Sequence, residues 1–473
     1  MGVNNFLRIT IMTKPLTIFM SFFGMVAISR ILSPDEIGVQ VLAISVVLVL
    51  SELKNMGVAS LLIREKELSQ STVTKAFTVL TITSGTIAIL LIVMSPFISN
   101  IFGDFRVQNS LIVVALSFFL IPAYSVTTAL LSREFSFVKI ETMRVTEIAV
   151  QQGIPVLLAI NGVGYISLPL GILAAAIVTA VMSFIFKPSF VTFSYSVKGI
   201  KQVFKTGGVI SLASMMRRIA MQFPEICLGY LSNTNSAAFY SRANGIPNFT
   251  AQAVSDFVGP VVNPYFSREH KEDGLGSAFI IANKLTQVVL IPPLIFLVFY
   301  GEQVVDLVFG QEWKVAGELL PFISVALILN FFFSYFEQLM IVSKRERLLS
   351  YVQLFYLIVT CVLAGFFVLV WTWKAIVIGI VIANAFALLL RIWILYRYFD
   401  RLLGKLLIEL KKNLAILIFF TLLTYAVSSV FVKQDFSYSL ITEMAVIGCG
   451  YLSLLFGFKH EIISRLFQLL GKR

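Results

Sequence analysis

Histidine and cysteine are almost missing from this chain, two of the one and three of the other in 473 residues. His270 and His460 both fall at expected helix ends, so a metal centre or a histidine-based catalytic triad has almost nothing to be built from. Cys227, Cys361 and Cys449 each lie inside an apolar run, which implies no disulfide framework. Charge is scarce as well: Asp, Glu, Lys and Arg together make up 13% of residues, against 58% hydrophobic. With a mean hydropathy of +0.91, that balance excludes a water-soluble globular enzyme. The apolar residues come in runs of about 20 or more, the length that crosses a bilayer as a helix. A membrane β-barrel alternates in short strands and has no such runs. The class is therefore an all-α polytopic membrane protein.

What is present is a regular alternation of apolar spans and short basic loops. Spans are expected at about 7–31, 36–62, 73–99, 107–131, 141–160, 163–186, 205–231, 236–265, 275–300, 317–342, 349–371, 375–398, 412–432 and 438–458, fourteen in all. Arg8, Lys14-Pro15 and Arg30 interrupt the first run, and no small-residue cleavage site follows it, so it reads as a span and not a cleaved leader. With a cytoplasmic N-terminus, nearly all loop Lys and Arg fall on the inner side. The opposite side holds only Arg30, Arg106, Lys314, Lys374 and Lys433. Such a bias places both termini in the cytoplasm. It also accounts for the net charge of +12 without any nucleic-acid partner.

Basic-acidic couplets end four of the even spans: Arg64-Glu65, Arg133-Glu134, Arg268-Glu269 and Arg345-Glu346. The second and eighth spans are offset by 204 residues (64 to 268), the fourth and tenth by 212 (133 to 345). The spacing predicts two pseudo-symmetric six-helix lobes, 1–186 and 205–398. An interfacial helix at 187–204 would join them, two further spans would follow over 399–458, and 459–473 would form an amphipathic cytoplasmic tail.

The stretch from Phe204 to Glu269 carries groups that lipid excludes. Arg217 and Arg218 sit near the middle of the seventh span. At helical spacing Ser211, Ser214, Arg218, Gln222 and Glu225 share one face, and Ser241, Gly245, Asn248, Gln252 and Asp256 share another in the eighth span. Two readings of the arginine pair stand: a water-filled cavity that attracts anions, or private pairing with Glu225 or Glu52. Elsewhere, Lys54 and Glu52 lie in the second span, Arg144 and Glu147 in the fifth, Lys284 in the ninth and Arg391 in the twelfth. Arg144 and Glu147 are spaced to pair locally. Pro15, Pro224, Pro247, Pro260 and Pro292 are expected to bend their helices.

Several of these residues carry a family resemblance. The join at Arg30, Leu32 and Gly38, the NMG…IREKE ending (Asn55, Gly57, Arg64), LLSREFSF (130–137), AAFYSRANGIPNF (237–249), PVVNPYFSRE (260–269) and VVDLVFGQEWKVAGELLPF (304–322) recur in order along the chain. In these the chain resembles the polysaccharide exporters, the colanic-acid-exporter-like branch of lipid-linked oligosaccharide flippases in the multidrug/oligosaccharidyl-lipid/polysaccharide superfamily. It departs from them in having Asn55 for a common acidic residue, Glu225 for an Asp, and Arg217-Arg218.

The resemblance implies two lobes around a central cavity and no covalent chemistry. It also implies an undecaprenyl-pyrophosphate-linked oligosaccharide moved across the bacterial inner membrane. Expected substrate contacts are Arg217, Arg218, Lys54, Arg242, Gln222, Asn248, Gln252 and Lys284. Glu225, Asp256, Glu52 and Glu147 are candidates for coupling to protons or sodium, with no cofactor. A polysaccharide polymerase and glycosyltransferases would be the partners. The rival readings are a cation-coupled multidrug antiporter, which calls for a carboxylate-dominated cavity, and a membrane glycan polymerase or ligase, which calls for a large catalytic outer loop.

Overall fold

The computed structural model describes residues 3–52, 70–188, 192–195, 208–268, 272–399, 402–431 and 436–457. A segment in lipid must pair its own backbone N–H and C=O groups, and a helix does so within itself. The described residues accordingly hold α-helices and short 3-10 turns, with no strand. In chain order, α1 (Val3–Ile31), α2 (Pro34–Ser51), α3 (Gln70–Phe102), α4 (Phe105–Phe118), α5 (Ile121–Arg133), α6 (Phe137–Ile160) and α7 (Ser167–Phe186) occupy the first six expected spans. The seventh and eighth are α8 (Gly208–Leu231) and α9 (Thr234–Arg268). The next four are α10 (Glu272–Phe309), α11 (Lys314–Phe331) with α12 (Phe336–Val342), α13 (Glu346–Val370) and α14 (Ile376–Tyr398). The last two are α15 (Leu402–Phe431) and α16 (Phe436–Gly457). Eight described stretches are each long and apolar enough to cross a membrane, nine with α4–α5 taken as one bent span.

The chain divides into two units, Met1–Ser241 and Arg242–Arg473. In the first, α3 packs along α4, α6 along α7 and α1, and α2 against α4 and α8. In the second, α10 packs along α11 and α15, α14 along α13 and α11, and α16 along α15.

Local chemistry explains several ends. Ser33 and Glu36 form a capping box at the start of α2, with Pro34 in the first turn, where its missing N–H costs nothing. Asp104 caps α4 and also accepts from Arg106, whose guanidinium reaches Asp35 at 2.6 Å and lies over the Tyr165 ring. Burial pushes the Asp104 carboxyl up, but the side-chain and backbone hydrogen bonds from Arg106 outweigh it and hold it below the ordinary range. One arginine thus ties together the start of α2, the α3–α4 turn and the 3-10 turn Gly164–Ile166.

The fourth span, expected to be continuous, is broken into α4 and α5 with a bend of 43°. Pro122, in the first turn of α5, supplies no helical N–H. It was not among the prolines expected to bend a span. The tenth span is likewise interrupted between α11 and α12. Donors from neighbouring helices satisfy the freed carbonyls there: Gln287 donates to the Phe332 carbonyl and Arg391 to that of Asn330, each at 2.8 Å.

Backbone features recur between the two units near the spacing expected from sequence. Phe135 and Lys344 both hold left-handed φ, 55° and 57°, and stand 209 residues apart. Gly103 (φ 67°) and Gly310 (φ 95°) are 207 apart. The 3-10 turns Gly164–Ile166 and Trp373–Ala375 begin 209 apart.

In the joint, where an interfacial helix is expected over 187–204, the described residues 192–195 carry no regular secondary structure, and 189–191 and 196–204 lie outside the described residues. Gln70 donates to the Thr192 hydroxyl at 2.7 Å, and Phe193 stacks on Phe77, so α3 holds these residues by hydrogen bonds and ring packing instead.

Gly38 in α2 leaves room for the backbone of Thr234: an added Cβ would lie 2.2 Å from that carbonyl oxygen. Overpacking against backbone costs about 1–3 kcal/mol. Gly38→Ala is therefore expected to lower the melting temperature of the detergent-solubilised chain. Gly153→Ala, in open space, should leave it unchanged or raise it, since Ala favours the helix by up to ~1 kcal/mol.

Candidate functional site

The polar face expected on the seventh span is present on α8, and the partner that organises it is α2. Glu225 is buried, 8% exposed. One of its carboxylate oxygens lies 2.6 Å from the Ser45 hydroxyl of α2 and 3.1 Å from the Gln222 amide one turn back on α8. The Ser45 hydroxyl also stands 2.8 Å from the Val41 carbonyl, so its single hydrogen serves two acceptors in turn. Two turns towards the N-terminal end of α8, Arg218 Nε donates to Glu52 Oε1 at 3.0 Å. Glu52 is the C-cap residue of α2. Gly229 lets α8 close on Leu42 of α2. Pro224 leaves the Ala220 carbonyl without its helical donor.

Arg218 is paired with Glu52, one of the two carboxylates expected as its partner. It is not sealed, because its side chain is 34% exposed against 14% for Glu52. Only Nε engages a carboxylate among the described residues, so the terminal nitrogens remain for a ligand. Arg217 is exposed beside it and is not free of contacts. Electrostatically the site alternates sign along α8, with a partly exposed cation at one end and a buried carboxylate two turns away.

The other expected residues are placed elsewhere. Glu147 accepts from the Tyr124 hydroxyl at 3.0 Å within the α5–α6 region. Lys284 is held by Glu409 at 2.7 Å, and its carbonyl accepts from Asn413, so it fastens α15 to α10. Arg242 lies over the buried Trp313 ring with its guanidinium carbon 5.7 Å from the centroid. Asn248 bonds back to Asn244 on its own helix, and Gln252 is exposed. Lys54 lies outside the described residues, as does the side chain of Asp256. No group of His, Cys, Asp and Glu among the described residues could hold a metal ion.

Sequence reasoning missed Ser45, Tyr124 and Glu409. Ser45 gives no signal in an apolar run, because only the packing of α2 on α8 sets it against Glu225. Glu409 could have been found as the one acid in a basic stretch, four residues before Asn413.

The Glu52–Arg218 pair lies between the surface case, worth up to about 1 kcal/mol, and the buried case, where losing one partner costs about 3–5 kcal/mol. Glu52→Ala is expected to destabilise the chain by about 1–3 kcal/mol. Adding Arg218→Ala should recover part of that loss, as read in a double-mutant cycle of thermal melts.

Comparison with known proteins gives a family and a fold. The model of a polysaccharide biosynthesis protein family matches residues 27–318. The succinoglycan biosynthesis transport protein ExoT of Rhizobium meliloti is 23% identical over 318 residues, 67% of this chain and 64% of that protein. The matched stretch thus spans just under two thirds of that relative's length. Among solved structures, the lipid II flippase MurJ in an inward closed conformation superposes with a TM-score of 0.79 at 12% identity, over 96% of this chain and 99% of that one. An inward-facing multidrug resistance transporter of the MATE family gives 0.64 at 17% identity, over 79% of this chain and 93% of that one. Identities this low establish the fold alone. The family match, which runs from the end of α1 through the start of α11, takes in the whole α2–α8 site, and the chain belongs to the polysaccharide biosynthesis protein family.

Proposed function

We propose that this protein moves an undecaprenyl-pyrophosphate-linked oligosaccharide from the cytoplasmic to the outer leaflet of the bacterial inner membrane by alternating access. The observation that carries the reading is the state of Arg218. Glu52 orients it through Nε while its terminal nitrogens stay available and partly exposed near the middle of α8. A guanidinium held in this way suits bidentate contact with a pyrophosphate, where a lysine would offer only a point charge. Arg217 adds a second cation on the next residue. Gln222, half-buried, donates one amide hydrogen to Glu225 and has a second of the kind that suits a sugar hydroxyl. The positive-inside pattern supports cytoplasmic termini. The step makes and breaks no covalent bond, and the substrate would come from glycosyltransferases and pass to a polymerase.

Glu225, buried and bonded to the Ser45 hydroxyl and the Gln222 amide, is the carboxylate best placed to bind a coupling ion. A small-molecule antiporter would rest on that carboxylate and not on the arginines, so the two groups separate the readings.

Arg217→Ala with Arg218→Ala is expected to abolish polysaccharide export, with the variant still present in the membrane at normal levels. Arg218→Lys alone should cut export by about tenfold or more, since loss of a bidentate charged contact is worth at least ~1.4 kcal/mol. Unimpaired export by the double variant would defeat the assignment. A change in resistance to cationic drugs with export intact would favour the antiporter.

A further inference from the structure

The turn between α12 and α13 is the second-unit counterpart of the turn after α5, and the two present opposite chemistry. Phe135 and Lys344 share the left-handed backbone, at φ 55° and 57°. A side chain larger than Asn rarely adopts that region, and such strain is kept where the surroundings fix it. In the first unit the position carries an apolar ring, 70% exposed. In the second it carries an ammonium group, also exposed.

What fixes the second turn is Arg345. Its guanidinium donates to the Tyr398 carbonyl at 3.1 Å and lies 5.3 Å and 4.8 Å from the Tyr398 and Phe399 ring centroids. The α12–α13 turn is thereby pinned to the C-terminal end of α14. That contact brings Lys344 and Arg347 to the end of the unit where Arg397 and, just into α15, Lys405 are exposed. Among the described residues no carboxylate pairs with any of these four cations; the acids nearest in sequence are Glu346 beside Lys344 and Arg347, half-buried in the first turn of α13, Asp400 beside Arg397, which lies outside the described residues, and Glu409 beside Lys405, which pairs with Lys284. Next to them on α14, Trp393, Tyr396 and Tyr398 are 53%, 75% and 44% exposed. Exposed Trp and Tyr beside Lys and Arg at the end of an apolar helix mark the level of lipid headgroups.

We infer that this end of the second unit is a docking site for the phosphate of an anionic glycerophospholipid, with Lys344, Arg347 and Arg397 as its cations and Tyr396 and Tyr398 against the glycerol and acyl region. The site is separate from the α2–α8 arginines and does not depend on the substrate proposed for them. It gives the strained Lys344 turn a role that its apolar counterpart at Phe135 lacks. A free phosphate would satisfy the same cations but gain nothing from the exposed rings, which is why the membrane lipid is the occupant argued here.

The full-length chain, purified in a non-ionic detergent, is to be titrated separately with phosphatidylglycerol, phosphatidylcholine and inorganic pyrophosphate, and bound species read by native mass spectrometry. Saturable binding of phosphatidylglycerol in preference to phosphatidylcholine is expected. Each cation contributes roughly fivefold to such binding, so Lys344→Ala with Arg347→Ala and Arg397→Ala should weaken it roughly a hundredfold. Lys344→Gly removes one charge while favouring the left-handed backbone. It should lose about fivefold with no loss of melting temperature, which keeps the test valid if the triple variant does not fold. Lys374→Ala, at a residue paired with Glu318, should bind as wild type. Equal binding of the two phospholipids, undiminished binding by Lys344→Gly, or inorganic pyrophosphate binding as tightly as phosphatidylglycerol would each overturn the proposal.

Discussion

A charge in the middle of a helix packed in a membrane protein must be answered locally, and for Arg218 on α8 the answer is the ion pair with Glu52. Insertion of an unanswered Arg at mid-bilayer costs about 3 kcal/mol or more. Pairing through Nε alone offsets that cost without consuming the guanidinium, so the side chain is both tolerated and still able to bind. The rest of the first unit serves this contact. The capping box at Ser33 sets where α2 begins, Gly38 and Gly229 allow α2, α8 and the start of α9 to approach closely, and Ser45 answers the one buried carboxylate on α8.

The same rule, applied elsewhere, produces structure without a site. Lys284 is neutralised by Glu409 and holds α15, and Arg391 spends a donor on the carbonyl freed where the tenth span breaks. Arg242 lies over an indole ring. Arg218 differs from Lys284 and Arg391 in exposure: 34% of its side chain stays accessible beside the ion pair, against 12% for Lys284, and Arg391 is buried at 8%.

Much of the fold was legible because its cause is one-dimensional. Apolar run length placed the long described helices in order, and the couplets at Arg133 and Arg345 pointed to a repeat near the spacing of the left-handed residues Phe135 and Lys344. Breaks were less legible. Pro122 was passed over because it falls in the first turn of α5, where proline is well tolerated, and nothing in FFFSY announces the interruption after Phe331. For the site, helical spacing placed Arg218, Gln222 and Glu225 together correctly. It left open which carboxylate met the arginine, since the register of α2 against α8 is a packing property. For the same reason Lys284 and Glu147 could be seen as buried charges but not assigned to Glu409 and Tyr124.

The account is tested most directly by a structure of the protein with a prenyl pyrophosphate bound. It predicts phosphate oxygens within hydrogen-bonding distance of the terminal nitrogens of Arg218 while Glu52 still holds Nε. A head group bound away from α8, with Arg218 closed against carboxylates on all its donors, would contradict it.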